Sequence, residues 1–299
     1  MTRIAIVGPG AIGGTIAAWL AQNPALSITV CARTPFDDLV VETPQGQITA
    51  RPKVVTDPAD VEPVDWVMVA TKTYDVDSTA PWLSRLVDKT SRVAIVQNGV
   101  EHVRLFSHLV PPAQLVPVMI NLPAARTAPG RIVQQRHGII SVPAGADGEA
   151  LVALFAGTEI SASADADFLS QVWIKLVSNS AAIFPALTLR ATGPVWNNDV
   201  AAIIGGIVTE CAAVARAEGA IVPESVVAAT IESARTMDEG TRGSSIQVDR
   251  MAGNRMEIDA RNGVIVRLGE KHGIPTPMNK MLVTLLAASG SPWVKQDQV

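Results

Sequence analysis

The sequence predicts an α/β protein in which an N-terminal domain with a parallel sheet is followed by a C-terminal all-α domain. Three observations predict this class. Short Val- and Ile-rich runs alternate with a helical pattern in the first half, a glycine-rich turn follows the first run, and the pattern is helical from about residue 165 onward. The 299 residues suit two domains at roughly 150 residues each. We therefore place the domains at residues 1–164 and 165–299.

Four compact apolar runs predict the strands of the parallel sheet. Each run is too short for a helix and does not alternate between apolar and polar residues, as expected of strands buried on both faces. The runs comprise residues 3–7, 27–31, 65–70 and 92–96. Between the first two, Ile12, Ile16 and Leu20 recur every four residues and predict an amphipathic helix over residues 11–22, which completes a βαβ unit.

Three later runs, bounded by Pro and Gly, predict strands that extend the sheet and close the first domain. They comprise residues 115–120, 131–135 and 139–142. The second domain is predicted to consist of helices, because Gly and Pro punctuate its apolar segments as helix ends require. The predicted helices comprise residues 165–189, 195–218, 223–237, 245–251, 258–272 and 276–288.

The composition describes a globular protein and argues against several kinds of partner. Hydrophobic residues make up 48% and charged residues 17%, which is too apolar a balance for a disordered chain. The net charge of −4 argues against a nucleic-acid partner, and polar residues interrupt every apolar run before the ~18 residues of a membrane span. The two cysteines, Cys31 and Cys211, form no disulfide framework and fit a reducing cytoplasm. The four histidines lack metal-ligand spacing, so we expect no metal.

Residues 8–13 read G-P-G-A-I-G, which matches G-x-G-x-x-G directly after a predicted strand and at the start of a predicted helix. Gly8 permits the tight turn, Gly10 lets the backbone approach a pyrophosphate, and Gly13 lets the helix pack against the strand. The free amides and the positive end of the helix dipole then face the phosphates. This context predicts a Rossmann-type domain that binds a dinucleotide. Its predicted phosphate-binding residues are Gly8, Gly10, Ala11, Ile12 and Gly13.

Three further strand ends predict cofactor and substrate contacts. An Asp or Glu about 20 residues after the turn binds the ribose 2′-hydroxyl of NADH, but Arg33 stands at this strand end. A guanidinium pairs with a 2′-phosphate, so the sequence favours NADPH; the alternative is a solvated Arg. Lys72 and Asn98 follow two other strands, where an open sheet binds its ligands. Lys72 would contact a phosphate or a carboxylate, and Asn98 would lie on the nicotinamide side.

One polar row lies on the otherwise apolar helix predicted after residue 165. Gln171, Lys175 and Asn179 are spaced by four and share one face. Because apolar residues flank Lys175, its position fits the border of a cleft better than open water, and this crowding disfavours its charge and eases proton donation. The alternative is a lysine that snorkels at the helix surface.

Two polar positions nearer the C-terminus are candidate substrate contacts. Ser244 and Ser245 are placed to cap a helix, where hydroxyls and free amides suit a carboxylate. Glu257 opens the next predicted helix, where the dipole also favours a carboxylate. For Glu257, therefore, both helix capping and a role in the site remain open.

In combination, these motifs resemble the ketopantoate reductase family along nearly the full length of the chain. The resemblance rests on R-I-A-I-V-G-P-G-A-I-G-G from residue 3, T-K-T-Y-D from residue 71, Q-N-G-V from residue 97, W-I-K-L-V-S-N from residue 173, and S-S-I-Q-V-D with G-N-R-M-E-I-D from residue 244. The combination is far more specific than any single motif.

The resemblance implies an NADPH-binding domain, a helical domain and a substrate cleft between them. The implied reaction is the reduction of a small 2-oxo acid, typically ketopantoate in pantothenate biosynthesis, to a 2-hydroxy acid in the cytoplasm. Lys175 would donate the proton, Asn98 and Asn179 would orient the substrate, Ser245 would hold its carboxylate, and Glu257 would accept from a substrate hydroxyl. By match to the family's motifs, the catalytic candidates are Lys175 and Glu257, the substrate-binding ones Asn98, Asn179 and Ser245, and the cofactor-side ones Arg33, Lys72 and Asn98. The sequence leaves the oligomeric state open, with a homodimer as one option.

One departure from the family pattern bears on the substrate. Family members commonly have a second Asn two turns after the catalytic Lys, and here that position is Ile183. Loss of an amide beside a polar substrate can shift discrimination substantially. Two alternatives therefore stay open: a related 2-hydroxyacid dehydrogenase that acts on another 2-oxo acid, and a non-catalytic sensor that binds NADPH.

Overall fold

The computed structural model describes residues 1–189, 198–236 and 244–289. The chain divides into two compact units, Met1–Phe168 and Leu169–Val299. The first unit contains all the sheets found in the described residues, and the second is helical. The predicted class, an α/β part followed by an all-α part, is therefore confirmed. The start of the helix predicted over 195–218 and the end of the one predicted over 223–237 lie outside the described residues.

Strands and short helices alternate along the first unit. In chain order they are β1 (Thr2–Val7), α1 (Ala11–Leu20), β2 (Leu26–Cys31), β3 (Leu39–Thr43), β4 (Gly46–Ala50), β5 (Lys53–Val55), β6 (Trp66–Val69), α2 (Ala80–Leu86), β7 (Arg92–Ile95), α3 (His102–Phe106), β8 (Leu115–Pro117), β9 (Met119–Asn121), β10 (Ala124–Ala128), β11 (Arg131–Gln134), β12 (Gly138–Pro143), α4 (Ala146–Leu154) and β13 (Ile160–Asp165).

A six-stranded parallel sheet forms the centre of the first unit. Its strand order is β5-β2-β1-β6-β7-β8, and every pairing within it is parallel. This is the order of a dinucleotide-binding sheet, in which the direction of chain progression reverses between β1 and β6. Such sheets bind ligands outside the carboxyl ends of the strands at that reversal. The glycine-rich turn follows β1, at this edge of the sheet.

The central strands are buried on both faces, which explains why their sequences do not alternate. Ile4 and Ile6 of β1 pack in one apolar cluster together with α1, whereas Ala5 and Val7 pack in a second cluster with α2 and α3. All four side chains are at most 3% exposed. Each face of the sheet thus has its own core, as expected of a parallel sheet covered on both sides.

The later strands do not all extend the central sheet, so that prediction is wrong in part. Only β8 joins it; a four-stranded sheet has the order β10-β11-β3-β4, and a three-stranded sheet has the order β13-β12-β9. The predicted run 115–120 divides into β8 and β9, which belong to different sheets. The four-stranded sheet packs on α1 at close range, because a Cβ at Gly14 would lie 2.3 Å from Ile132 Cδ1.

The described part of the second unit contains seven α-helices and one π-helical turn. They are α5 (Phe168–Ala181), α6 (Ile183–Thr188), α7 (Asn198–Ala217), α8 (Glu224–Thr236), α9 (Ser245–Met251), the π-helical turn (Asp259–Gly263), α10 (Val264–His272) and α11 (Pro277–Ala288). The helix predicted over 165–189 begins only at Phe168, since β13 continues to Asp165. It is also interrupted at Ala182, whose amide donates to the Asn179 carbonyl oxygen in a tighter turn at 3.1 Å.

Helix α7 is the central helix of the second unit. Its segment Asp199–Ala217 is long and apolar enough, by length and composition, to cross a membrane. The expectation that no run reaches this length is therefore wrong for this segment. Much of the helix nevertheless lies inside the unit, because several of its side chains are 0% exposed. These side chains are Ile204, Ile207, Val208, Cys211, Ala212, Val214 and Ala215.

Candidate active site

The glycine-rich turn leaves one open position between two crowded ones. Gly8 has a φ of +88°, and a Cβ there would lie 2.8 Å from Thr71 Cγ2. A Cβ at Gly13 would lie 2.4 Å from the Gly8 carbonyl oxygen and 2.9 Å from Ala70 Cβ, so α1 approaches the strands more closely than any other residue permits. A Cβ at Gly10 would meet no atom of the described residues within 4 Å. The backbone at Gly10 is therefore accessible to a ligand.

The first turn of α1 supplies amides for an anion. The Gly14 amide donates to the Gly10 carbonyl oxygen at 2.9 Å. The amides of Ala11, Ile12 and Gly13 precede this bond and lie at the positive end of the helix dipole. Together with the open backbone at Gly10, they fit the pyrophosphate of a dinucleotide.

A buried glutamine joins the two strand ends that carry Lys72 and Asn98. Gln97 is 4% exposed and donates from Nε2 to the carbonyl oxygen of Thr71 at 3.0 Å and to Thr71 Oγ1 at 3.1 Å. His102 Nε2 lies 3.0 Å from the Gln97 carbonyl oxygen. The loops after β6 and β7 are thereby held together, with Lys72 and Asn98 both partly exposed. Sequence reasoning missed this role of Gln97, for which its place directly before Asn98 was the available signal.

Arg33 lies at the same edge of the sheet as the glycine-rich turn. The register of the parallel pair aligns Val7 of β1 with Cys31 of β2. Arg33 follows the end of β2 by two residues, as Pro9 of the turn follows the end of β1, and the Arg33 side chain is exposed. An exposed guanidinium at this position is accessible to a phosphate group on the ribose of a bound dinucleotide.

In the second unit, the polar row on α5 borders the core. Gln171, Lys175 and Asn179 are each partly exposed. Their neighbours Trp173 and Leu176 are at most 2% exposed. Apolar side chains therefore surround the base of the Lys175 side chain, and they exclude much of the water from its ammonium.

Three sequence-predicted residues lie around a fourth that was not predicted. Arg261 donates from Nη2 to Ser245 Oγ at 2.8 Å, and it is close enough to Lys175 and Glu257 for their charges to interact. Arg261 is 3% exposed and Glu257 5%. Sequence reasoning missed Arg261, because its burial depends on the π-helical turn, for which no local pattern was available.

The surroundings of Lys175 lower the pKa of its ammonium to about 7. Removal from water is the largest cause, and the positive charge of Arg261 acts in the same direction. The carboxylate of Glu257 opposes both effects and raises the pKa. At neutral pH this amine therefore exchanges a proton readily, which an ordinary lysine does not.

The predicted serine pair has two separate roles. Ser244 is the N-cap of α9, and its Oγ accepts from the Gln247 amide at 3.4 Å, whereas Ser245 contacts Arg261. Glu257 does not open a helix as predicted. It precedes the π-helical turn by two residues, and Ile258 holds the N-cap position. The carboxylate is therefore placed by the segment before the turn and not by helix capping.

The position of the family's second Asn is inside the core. Ile183 is 0% exposed in the first turn of α6. The buried amide of Asn262 serves helix packing, since its Nδ2 donates to the Ser180 carbonyl oxygen at 3.2 Å and to Asn279 Oδ1 at 2.8 Å. The apolar side chain of Ile183 therefore adds no polar contact for a substrate.

A glycine-rich turn with open amides at the reversal point of a parallel sheet, and a lysine with a pKa of about 7 in a helical unit, are the features of a nicotinamide-dependent reductase. Comparisons with known proteins then define the family. The model "Ketopantoate reductase PanE/ApbA" matches residues 4–147, and the model "Ketopantoate reductase PanE/ApbA C terminal" matches residues 167–289. The chain therefore belongs to the ketopantoate reductase PanE/ApbA family, as its motifs predicted.

Individual relatives agree with this assignment. A 2-dehydropantoate 2-reductase from Caulobacter vibrioides is 50% identical over 289 residues, which cover 97% of this chain and 99% of the relative. The crystal structure of a PanE/ApbA family ketopantoate reductase from Ralstonia eutropha JMP134 matches with a TM-score of 0.87 at 29% identity, over 97% of this chain and 100% of that one.

Two more distant structures share the fold. A dimeric ketopantoate reductase from Staphylococcus aureus matches with a TM-score of 0.84 at 22% identity, over 96% of this chain and 98% of that one. A ternary structure of D-mandelate dehydrogenase with NADH and anilino(oxo)acetate matches with a TM-score of 0.85 at 21% identity, over 96% and 97%. At these identities the likeness concerns the fold alone.

Proposed function

We propose that this protein is a 2-dehydropantoate 2-reductase that reduces ketopantoate to pantoate with NADPH. The observation that carries the proposal is the partly buried Lys175 beside Glu257 and Arg261, with a pKa of about 7. Reduction of a ketone needs a proton at the oxygen as well as a hydride at the carbon, and such a lysine donates it at neutral pH. The full-length identity of 50% to a 2-dehydropantoate 2-reductase supports the same reaction.

The residues proposed to hold the cofactor all belong to the first unit. The amides of the turn bind the pyrophosphate, Arg33 pairs with the 2′-phosphate, and Lys72 binds a phosphate or the substrate carboxylate. Bound NADPH supplies the hydride to the substrate carbonyl carbon. The proposed cofactor-binding residues are Gly8, Gly10, Ala11, Ile12, Gly13, Arg33, Lys72 and Asn98.

The preference for NADPH over NADH rests on Arg33. Its guanidinium is exposed at the strand end where an acidic residue would otherwise bind the ribose hydroxyls. The same fold was solved with NADH in D-mandelate dehydrogenase, so the fold alone does not determine this preference.

Lys175 is the proposed general acid. Its ammonium hydrogen-bonds to the ketone oxygen and transfers a proton from Nζ as negative charge develops there. The apolar surroundings favour the neutral amine that remains after this transfer. Glu257 opposes the effect of burial and so keeps a protonated fraction at neutral pH.

Four polar residues are the proposed substrate contacts. Asn98 and Asn179 orient the substrate, Ser245 holds its carboxylate, and Glu257 accepts a hydrogen bond from a substrate hydroxyl. Because Glu257 is 5% exposed, a hydrogen bond to its carboxylate is shielded from water and strong.

We further assign NADPH binding to residues 1–164 and substrate binding to residues 165–299. We propose that the protein acts in the cytoplasm on a small 2-oxo acid, as a homodimer, without a nucleic-acid or membrane partner. Cys31 and Cys211 are free and buried, which suits a reducing compartment. The relative from Staphylococcus aureus with this fold is described as dimeric.

The test follows NADPH absorbance with ketopantoate and a panel of other 2-oxo acids, and repeats each reaction with NADH. Wild type is compared with Lys175→Ala and with Lys280→Ala, whose side chain is 68% exposed on α11. We expect wild type to reduce ketopantoate and to prefer NADPH. We expect Lys175→Ala to lose roughly 100- to 10,000-fold in kcat, as for removal of a general acid, and Lys280→Ala to keep its activity.

Three other outcomes would redirect the assignment. Turnover of other 2-oxo acids only would favour the related 2-hydroxyacid dehydrogenase, an alternative that the buried Ile183 keeps open. Tight NADPH binding without oxidation by any 2-oxo acid would favour a sensor. Equal rates in wild type and Lys175→Ala would reject Lys175 as the acid.

A further inference from the structure

Arg261 is buried by an unusual local conformation. Asp259–Gly263 form a π-helical turn, and the consecutive residues Ala260, Arg261 and Asn262 are 8%, 3% and 0% exposed. A regular helix at the edge of a core turns one face to solvent and does not bury such a run. π-Helical turns are rare and are frequently found at functional sites, and this one encloses a charged side chain.

The Arg261 guanidinium uses only part of its hydrogen-bonding capacity. Nη2 donates to Ser245 Oγ at 2.8 Å. Nε and Nη1 are both buried and have no hydrogen-bond partner among the described residues. Buried polar groups are almost always paired, and a buried charge with unused donors is costly. Two nitrogens of a fixed cation therefore remain for a ligand.

The charges around Arg261 balance it without occupying those nitrogens. The carboxylates of Glu257 and Asp249 attract the guanidinium, and the ammonium of Lys175 repels it. Two cations thus lie close together, one from α5 and one from the π-helical turn. A ligand that suits these two cations has a negatively charged group near Arg261. It also has an atom near Lys175 that becomes negative during the reaction.

We propose that Arg261 is a substrate-binding residue that recognises the carboxylate of the 2-oxo acid through its unpaired N–H groups. The inference rests on the proposed function and deepens it. A 2-oxo acid carries its carboxylate next to the ketone, so Lys175 contacts the ketone oxygen while Arg261 contacts the carboxylate. The planar guanidinium matches a carboxylate better than a hydroxyl does. Ser245 and Arg261 then share the carboxylate, and Ser245 also holds the guanidinium in place.

The test measures binding of pantoate and of pantoyl lactone by calorimetry, with the protein saturated with NADP⁺. The lactone is the neutral cyclic ester of pantoate and lacks the carboxylate. Wild type is compared with Arg261→Gln, which removes the charge, and Arg261→Lys, which keeps the charge but not the planar donors. We expect Arg261→Gln to weaken pantoate binding roughly 10- to 100-fold, as for loss of charge-assisted hydrogen bonds, and Arg261→Lys to weaken it less. Lactone binding should change little.

The controls separate carboxylate recognition from a structural role. Arg51→Gln alters an exposed arginine of the first unit that pairs with Asp38, and it should leave pantoate binding unchanged. NADPH affinity, followed by the fluorescence of the cofactor, should stay unchanged in both Arg261 variants. A merely structural role would weaken pantoate and lactone binding equally, and that result would overturn the proposal.

Undiminished pantoate affinity in Arg261→Gln would also overturn it. If Arg261→Gln does not fold, Arg261→Lys decides, and wild-type affinity for pantoate in that variant counts against the proposal. Failure of the proposed function gives a different pattern, because wild type itself would neither reduce ketopantoate nor bind pantoate. In that case the binding comparison is repeated with the 2-hydroxy acid formed from whichever 2-oxo acid wild type does reduce. If wild type reduces no 2-oxo acid of the panel, both proposals are refuted.

Discussion

Lys175 is an ordinary side chain whose chemistry comes from its neighbours. Burial and the charge of Arg261 lower its pKa to about 7 from an ordinary 10.5, against the opposing effect of Glu257. Each pKa unit corresponds to about 1.4 kcal/mol between the two protonation states, so modest changes in this cluster alter the acid strength by large factors. Glu257 thus sets the acidity of Lys175 in addition to its proposed contact with a substrate hydroxyl.

The first prediction concerns the pH dependence of the reaction. Lys175 must be protonated to donate, so the rate of ketone reduction should fall as pH rises through about 7. Oxidation of the 2-hydroxy acid needs the neutral amine and should rise over the same range. Measurement of kcat in both directions from about pH 5.5 to about pH 9 checks these opposite slopes.

A carboxylate variant tests the assigned cause. Because Glu257 raises the pKa of Lys175, Glu257→Gln should move the falling limb of the reduction profile to lower pH. Glu270→Gln, at a side chain that is 66% exposed on α10, should leave the limb in place. A midpoint near the ordinary lysine value, or an unmoved limb in Glu257→Gln, would refute the assignment.

Within this cluster, one of the two basic residues could be predicted from the sequence and the other could not. Lys175 was predictable, since a polar row at spacing four on an apolar helix is a local pattern. Arg261 was not, because a charged residue in a predicted amphipathic helix is normally solvated. Its burial depends on the π-helical turn and on Ser245, 16 residues earlier in the chain, and neither leaves a local signal.

In the strand–turn–helix unit formed by β1 and α1, different glycines serve packing and the proposed cofactor binding. Gly13 is needed for packing, since a Cβ there would lie 2.4 Å from the Gly8 carbonyl oxygen. Gly10 is not, since a Cβ there would meet nothing within 4 Å in the described residues. Its φ of −72° is also open to any residue.

The second prediction compares these two glycines. Gly10→Ala should keep the free energy of unfolding within about 0.5 kcal/mol of wild type, and it should weaken NADPH binding by roughly tenfold or more because the methyl group occupies the space of the pyrophosphate. Gly13→Ala should lower the free energy of unfolding by about 1–3 kcal/mol through overpacking. Urea unfolding and cofactor titration of both variants measure the difference. Equal losses of stability in the two variants would contradict it.

The sequence predicted elements that bury apolar side chains and missed those that depend on a partner. The central strands form continuous Val- and Ile-rich runs, which is a strong signal. By contrast, β4 reads G-Q-I-T-A and has a single buried residue, Ala50. Such a strand forms because β3 pairs with it, and pairing partners are a tertiary property. The same reason explains why the two smaller sheets were not separated from the central one.

For the whole molecule, the proposed chemistry is divided along the chain. The proposed cofactor contacts, from Gly8 to Asn98, belong to the unit Met1–Phe168, whereas Lys175 and Arg261 belong to the unit Leu169–Val299. The first unit has two apolar clusters of its own, one on each face of the central sheet. Its glycine-rich turn, the proposed cofactor site, is also built from contacts within the unit. Cofactor binding and acid catalysis should therefore be separable.

The third prediction follows from this division. A fragment of residues 1–168 should fold, since its buried clusters lie within it, and it should bind NADPH but not reduce any 2-oxo acid, since it lacks the acid Lys175. Circular dichroism melting tests folding, and titration of NADPH fluorescence tests binding. The same fragment with Gly10→Ala serves as the control, because it should fold equally well and lose the cofactor.

The combination of results identifies which inference fails. A fragment that melts cooperatively but does not bind NADPH would show that the second unit supplies essential cofactor contacts, against the assignment of residues 1–164. Binding that survives Gly10→Ala would show that the cofactor uses a site other than the turn. If the fragment binds NADPH and Gly10→Ala abolishes that binding, the second unit is left with the chemistry at the substrate. That unit is where Lys175, Glu257 and the partly unpaired guanidinium of Arg261 lie together.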